Sequence, residues 1–240
     1  MKIRFVGTGS ISSLSNSASL LINDSILIDC GNGIHKALLR QNVDIKKIKY
    51  VFITHLHGDH IFDIAPLLFW ISNNNPGQTI TFVGNISLKK TVLSLLKLAY
   101  PLSWKNIYEG VNLLFVKSEG LDHFKIADNL YVDSFLVHHG KLEGCFGYII
   151  NGMYAITGDC SYDSNILELS HSVSYLICDC TRKVGDSSHM GIDNIKTLAS
   201  YSNLTIYTTH MGVNSKKILA STYFPNHNVF VPSDSDIIFI

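Results

Sequence analysis

The chain has 240 residues, 46% of them hydrophobic, and its 19 Lys and Arg balance 19 Asp and Glu at a formal net charge of zero. That is enough apolar material for a substantial core, which excludes dominant disorder, and the even balance excludes the broad basic footprint of a dedicated nucleic-acid surface. Five cysteines without a C-x-x-C pair point to a reducing compartment, and neither a signal peptide nor an apolar run of about 18 residues is read, so a cytoplasmic protein with no membrane association is expected.

In chain order, a strand-like run from Ile3 to Val6 ends at Gly7, and the strands Ser19–Ile22 and Ser25–Asp29 flank Asn23-Asp24. A helical pattern over Ile34–Arg40 precedes the strand Tyr50–Ile53. Helix Ile61–Ser72, strand Thr79–Val83 and helix Leu88–Ala99 follow. The second half holds the strands Leu130–Val137, Phe146–Ile150, Tyr154–Ile156 and Tyr175–Cys178, then the helix Ile192–Ser200 and the strand Leu204–Tyr207. No Pro/Gly/Ser-rich linker divides the chain, so a single domain over residues 1–240 is expected.

The two halves echo one another. Leu20–Gly31 reads as two strands around Asn23-Asp24 that end in Asp29-Cys30-Gly31, and Gly147–Cys160 as two strands around Asn151-Gly152 that end in Gly158-Asp159-Cys160. Asn-Gly is a strong hairpin signal because both residues tolerate positive φ. Further strands end in Thr54-His55 and in Thr209-His210. A duplicated β-rich half with helices outside would gather these polar strand ends in one cleft.

The strongest chemical signal is Thr54-His55-Leu56-His57-Gly58-Asp59-His60, between an apolar strand and a helical pattern. Imidazole nitrogen and carboxylate oxygen at this density suit borderline-soft divalent metals. Alternate residues of an extended loop point the same way, so His55 and His57 can grip one ion, while Gly58 turns Asp59 and His60 toward a second. The plainer reading is a polar strand-to-helix turn with incidental histidines, but imidazoles crowded together without partners would be costly there.

H-x-H-x-D-H after a hydrophobic strand resembles the signature of the metallo-β-lactamase superfamily. Phe5-Val6-Gly7-Thr8-Gly9-Ser10, Ile28-Asp29-Cys30-Gly31-Asn32-Gly33 and the run from Ile53 to Phe62 resemble segments of its ribonuclease Z-like branch. The resemblance implies an α/β fold, an αββα sandwich of two β-rich halves with helices outside, and a dinuclear metal site at one edge. It implies His55, His57 and His139 on one ion, Asp59, His60 and His210 on the other, and Asp159 between them. His138 competes with His139 for the third position, because the spacing to Gly147-Tyr148 is about one residue longer than usual in the family. Zinc is the implied metal, with manganese or iron(II) as alternatives. Asp29 and Asp63 are read as turn residues, or as carboxylates that orient an imidazole.

Five imidazoles and two carboxylates can hold two dications and still leave positions for solvent, which is the mark of a catalytic rather than a closed structural site. A bridging water there would ionise near neutral pH and act as the nucleophile. His189 resembles the non-ligand histidine that phosphodiesterases of this branch keep near the metals, and an imidazole so placed can protonate a leaving alkoxide. His189 and Asp59 are therefore the expected catalytic residues, Asp59 being also a ligand. The family's Ser-Thr after this histidine is replaced by Met190-Gly191, which weakens a tRNA-processing reading.

The expectation is a phosphodiesterase acting on a small or cyclic phosphodiester. The segments from Val83 to His139 and from Asp159 to His189 show no Gly/Pro- and Lys-rich arm for gripping tRNA. A ribonuclease Z-type RNA 3′-end endonuclease is the first alternative, since such an arm can sit on another subunit. A thioester, lactone or β-lactam hydrolase and a non-catalytic metal-binding protein are the others. His57 argues against the diiron oxidoreductases of this fold, which carry Glu there. The resemblance also suggests a homodimer.

Overall fold

A computed structural model describes residues 1–201 and 203–240. The chain forms two compact units, one made of Met1–Gly7, Ser15–Lys117 and Ser233–Ile240, the other of Thr8–Leu14 and Ser118–Pro232. In the first unit, Asn23 and Asp24 both take positive φ (47° and 57°), and Ser25 N–H closes the turn on the Ile22 carbonyl. This is the two-residue geometry whose twist matches paired strands. It joins β2 (Ser19–Ile22) to β3 (Ile26–Ile28), and β1 (Lys2–Gly7) pairs antiparallel with β2 on the other side. Strands β4 (Tyr50–Phe52), β5 (Thr79–Gly84) and β6 (Asn112–Lys117) then run parallel to β3.

Helices α1 (Ile34–Arg40), α2 (Gly58–Ile61), α3 (Ile64–Asn74), α4 (Leu88–Ala99) and α5 (Trp104–Glu109) supply the crossovers. In α3 the residues Ile64, Ala65, Leu67, Leu68 and Ile71 are buried, the spacing of a single helix face. They pack in one cluster with Leu27, Val51, Ile80, Phe82, Val92 and Leu96. Each such aliphatic side chain contributes about 1.5–3 kcal/mol when fully buried.

The second unit repeats the plan. Strands β7 (His123–Ala127), β8 (Leu130–Leu136), β9 (Phe146–Ile150) and β10 (Tyr154–Ile156) pair antiparallel in succession. Asn151 (φ 50°) and Gly152 (φ 66°) form the turn between β9 and β10. Strands β11 (Tyr175–Asp179), β12 (Thr205–Thr209) and β13 (Val229–Phe230) extend the sheet in parallel, with α6 (Ser164–Ser172), α7 (Ile192–Leu198) and α8 (Val213–Ser221) between them. Finally β14 (Ile237–Phe239) closes the first sheet beside β1.

The sheet orders are β14-β1-β2-β3-β4-β5-β6 and β7-β8-β9-β10-β11-β12-β13. Each has three antiparallel pairs followed by three parallel ones, so β3 corresponds to β10 and β4 to β11. The echo between Thr54-His55 and Thr209-His210 is therefore not a positional match. His55 follows β4, whose counterpart is β11, while His210 follows β12.

The helix expected over Ile61–Ser72 is interrupted between α2 and α3. The Asp63 N–H donates to the Cys30 carbonyl at 3.0 Å, and its side-chain Oδ2 accepts the His35 N–H at 3.0 Å. The chain there holds the end of β3 instead of continuing the helical ladder.

Candidate metal centre

Parallel strands collect polar groups at their carboxyl ends, and both units do so. In the first, Asp29 follows β3 with φ 58° and is buried. Its Oδ1 accepts the Thr54 N–H at 2.8 Å; its Oδ2 accepts the Thr54 hydroxyl at 2.8 Å and lies 2.8 Å from His60 Nδ1. The Thr54 hydroxyl lies 3.1 Å from His55 Nδ1. Since that hydroxyl donates to Asp29, it accepts from His55. Asp29 thus holds His60 directly and His55 through Thr54, with both rings buried.

This clamp places the ring proton on Nδ1 in both, so Nε2 is the atom of each ring that carries a lone pair. His55 Nε2 lies 3.0 Å from His57 Nδ1. Two nitrogens bound at about 2.0–2.1 Å to one tetrahedral zinc would be about 3.3 Å apart, so this pair fits a shared ion. His57 is exposed and Asp59 half-buried on the same loop. The loop lies hard against Gly31, where a Cβ would meet the Asp59 carbonyl oxygen at 1.6 Å. Glycine at 31 is thus required by close approach of two backbones.

In the second unit, Asp179 ends β11 with no solvent exposure. Its Oδ1 accepts the Thr181 N–H at 2.8 Å and the Thr181 hydroxyl at 2.6 Å, and its Oδ2 lies 2.7 Å from His189 Nδ1. The Thr181 hydroxyl lies 2.8 Å from His210 Nδ1. The first unit's arrangement recurs: a buried aspartate holds one imidazole directly and a second through a threonine hydroxyl.

Asp159 follows β10. Its Oδ2 is 3.3 Å from His210 Nε2 and 4.0 Å from His139 Nε2, the setting of a carboxylate between two imidazole donors. His139 is buried with Nδ1 2.7 Å from the Ser188 carbonyl, which can only accept, so its Nε2 also carries the lone pair. His138 is 70% exposed and pairs with Asp163 at 2.5 Å. Of the two adjacent histidines, His139 is the one beside Asp159.

His189 sits among these groups. Its ring is 4.8 Å from that of His139, nearly parallel to His210 at 5.5 Å, and its Nδ1 is 4.0 Å from Asp159 Oδ2. Burial disfavours its charged form, but the hydrogen bond and charge of Asp179, with the charge of Asp159, outweigh this and hold its pKa above the ordinary 6.5. Asp159, Asp179, His189 and His210 offer ligand atoms within 4.8 Å of one another. Asp179 is already committed to Thr181, His189 and the Cys160 N–H at 3.3 Å, which makes it a clamp and not a ligand.

Sequence reasoning did not single out Asp179 and Thr181. A signal was present: Asp179-Cys180 repeats the strand-ending Asp-Cys of Asp29-Cys30 and Asp159-Cys160. The donor set of both units, neutral imidazoles anchored at Nδ1 together with carboxylates, fits divalent metal ions.

A family profile described as "Anti-Pycsar protein Apyc1" matches residues 1–227. The chain belongs to this family. Among curated relatives, ribonuclease Z of Lactobacillus delbrueckii subsp. bulgaricus is 33% identical over 141 residues, covering 51% of this chain and 46% of the relative. The chain thus spans about half the length of the curated relatives it matches. Among solved structures, the metallo-β-lactamase fold protein YhfI from Bacillus subtilis aligns with a TM-score of 0.76 at 19% identity, over 99% of this chain and 98% of that one. The short form of human tRNase Z aligns with a TM-score of 0.76 at 22% identity, over 100% and 99%. This Apyc1-family chain has the metallo-β-lactamase fold, and over about half of its length its sequence is similar to ribonuclease Z. Among the described residues, no helix is long and apolar enough to cross a membrane.

Proposed function

We propose that the chain is a metal-dependent hydrolase that cleaves a small or cyclic phosphodiester. Its cofactor in this reading is a pair of divalent ions, zinc in the first instance, with manganese or iron(II) as the alternatives. His55, His57 and His139 would hold one, Asp59, His60 and His210 the other, and Asp159 both. When bound, two such ions supply Lewis acidity for phosphoryl oxygens and an acidified water as nucleophile.

The observation that carries the phosphodiester reading is His189. Its ring lies beside two candidate ligands, yet its Nδ1 is taken by Asp179 at 2.7 Å. Nε2 is therefore the atom from which a proton can pass to a leaving alkoxide, a group that departs poorly without one. Asp179 fixes that orientation and favours the protonated ring before transfer. Acyl hydrolysis has less need of such an acid when the leaving group is a thiolate.

The small-substrate reading is supported by what fills the stretch between β5 and His139. Helices α4 and α5 and strands β6, β7 and β8 occupy most of it. RNA 3′-end processing is the second reading, favoured by the curated relatives named ribonuclease Z. A hydrolysis panel on purified, zinc-loaded protein tests both: a bis-aryl phosphate, cyclic phosphodiesters, precursor tRNA, a thioester and a β-lactam. Phosphodiester turnover should exceed acyl turnover, and cyclic phosphodiesters should be cleaved faster than precursor tRNA. Faster acyl turnover overturns the phosphodiesterase reading; efficient precursor tRNA cleavage by the protein alone promotes the second.

A further inference from the structure

The two clamps share a part that no ligand assignment includes. In each, a threonine hydroxyl stands between a buried aspartate and an imidazole Nδ1: Thr54 between Asp29 and His55, Thr181 between Asp179 and His210. A hydroxyl has one proton and two lone pairs. Each aspartate can only accept that proton, so each hydroxyl must accept from the ring, which therefore carries its proton on Nδ1. The Thr181 hydroxyl also lies 2.8 Å from the His210 carbonyl, where the backbone has φ 49°. That carbonyl and Asp179 can only accept, so they compete for the one Thr181 proton, and whichever takes it the ring is left as the donor to the hydroxyl.

We propose that Thr54 and Thr181 are paired positioning residues, each setting the tautomer and aim of one imidazole and thereby the affinity of one metal ion. Thr54 serves the ion held by His55, and Thr181 the ion held by His210. This rests on the reading of His55 and His210 as ligands to different ions. The two aspartates cannot be separated in this way, because Asp29 also holds His60 and Asp179 also holds His189. The threonines separate the two sites.

The test is stepwise zinc removal by a competing chelator, which needs no substrate. Thr181→Val keeps the shape and loses the hydroxyl. It should weaken one zinc equivalent about 10–100-fold, the range for losing the partner that orients a metal-bound imidazole, and leave the other unchanged. Thr54→Val should do the same to one equivalent, and the double variant should weaken both. Thr54→Ser and Thr181→Ser should each restore affinity to within about threefold, since the hydrogen bond, not the methyl group, carries the effect. Thr209→Val is the control: Thr209 neighbours His210, but its buried hydroxyl has no hydrogen-bond partner, so zinc affinity should not change.

Wild-type zinc affinity in both Thr→Val variants overturns the proposal, as does a double variant that weakens only one equivalent. Should a Val variant fail to fold, ring 15N shifts of the wild-type zinc protein decide the matter. His55 and His210 should show protonated Nδ1, and an unprotonated Nδ1 in either ring would refute the relay. Failure of the phosphodiesterase reading would leave these results unaffected.

Discussion

The clamp of the first unit joins two strands, whereas that of the second is built within one strand end. Asp29 leaves β3 and reaches Thr54, 25 residues on at the end of β4; Asp179 ends β11 and reaches Thr181 two residues on. By register the position that corresponds to Asp29 is held by Thr157, since Asp29 N–H donates to the Phe52 carbonyl of β4 and Thr157 N–H to the Ile177 carbonyl of β11; Asp159 lies two residues further on. Its carboxylate faces the Nε2 atoms of His210 and His139.

A second contrast lies in the directly held ring. In the first unit this is His60, which we assign to a metal, and in the second it is His189, which we assign to proton transfer. The two clamps use the same groups at different strand positions, and the imidazole held directly in the second is assigned a different role.

The largest expected effect follows from removing the carboxylate between the imidazoles. Asp159→Ala should lose metal and reduce turnover on the order of 10⁴-fold, since loss of metal charge stabilisation costs several kcal/mol and each factor of ten is about 1.4 kcal/mol. Wild-type metal content and activity in this variant would erase the difference between Asp159 and Asp29. The next effect is kinetic alone. His189→Ala should keep its metal and lose about 10²–10⁴-fold on alkyl phosphodiesters, with a smaller deficit on nitrophenyl esters, whose leaving group needs little protonation. Metal loss in His189→Ala would make it a ligand like His60 and restore the symmetry of the two clamps.

Much of the fold was legible in the sequence because its hairpins announce themselves. Asn23-Asp24 and Asn151-Gly152 take the positive φ values that their residue types permit, and the strands either side are apolar. The edge strands β7 and β14 were not legible. β14 is three residues long and β7 five, so the alternation of exposed and half-buried residues in them is too short to stand out, and their pairing with β1 and β8 is a tertiary fact. Helix α6 is short, and its signal is the single N-cap Asp163, which accepts from Asn165 and Ile166 N–H. At the site, the dense His55 to His60 run could be read directly. The Asp179–Thr181 clamp could not, because one aspartate and one threonine become a device only when α7 and its preceding loop bring His189 beside them.

The smallest effect concerns the loop that carries Asp59. Gly31→Ala would drive a methyl group into the Asp59 carbonyl, and the clash should cost about 1–3 kcal/mol of stability as the backbone shifts. Thermal unfolding should show the loss, and Gly152→Ala, where a Cβ meets nothing within 4 Å, separates crowding from the cost of positive φ alone. Gly31 does not itself take a positive φ, so an unchanged unfolding midpoint in Gly31→Ala would remove the argument that Gly31 is fixed by the close approach of Asp59.

The central proposal is that the chain binds two divalent ions and that Asp159 is a ligand to both. Elemental analysis of protein purified under metal-replete conditions tests it most directly. The account predicts close to two equivalents of divalent metal per chain, falling to one or none in Asp159→Ala; a wild-type value at or below one would contradict it.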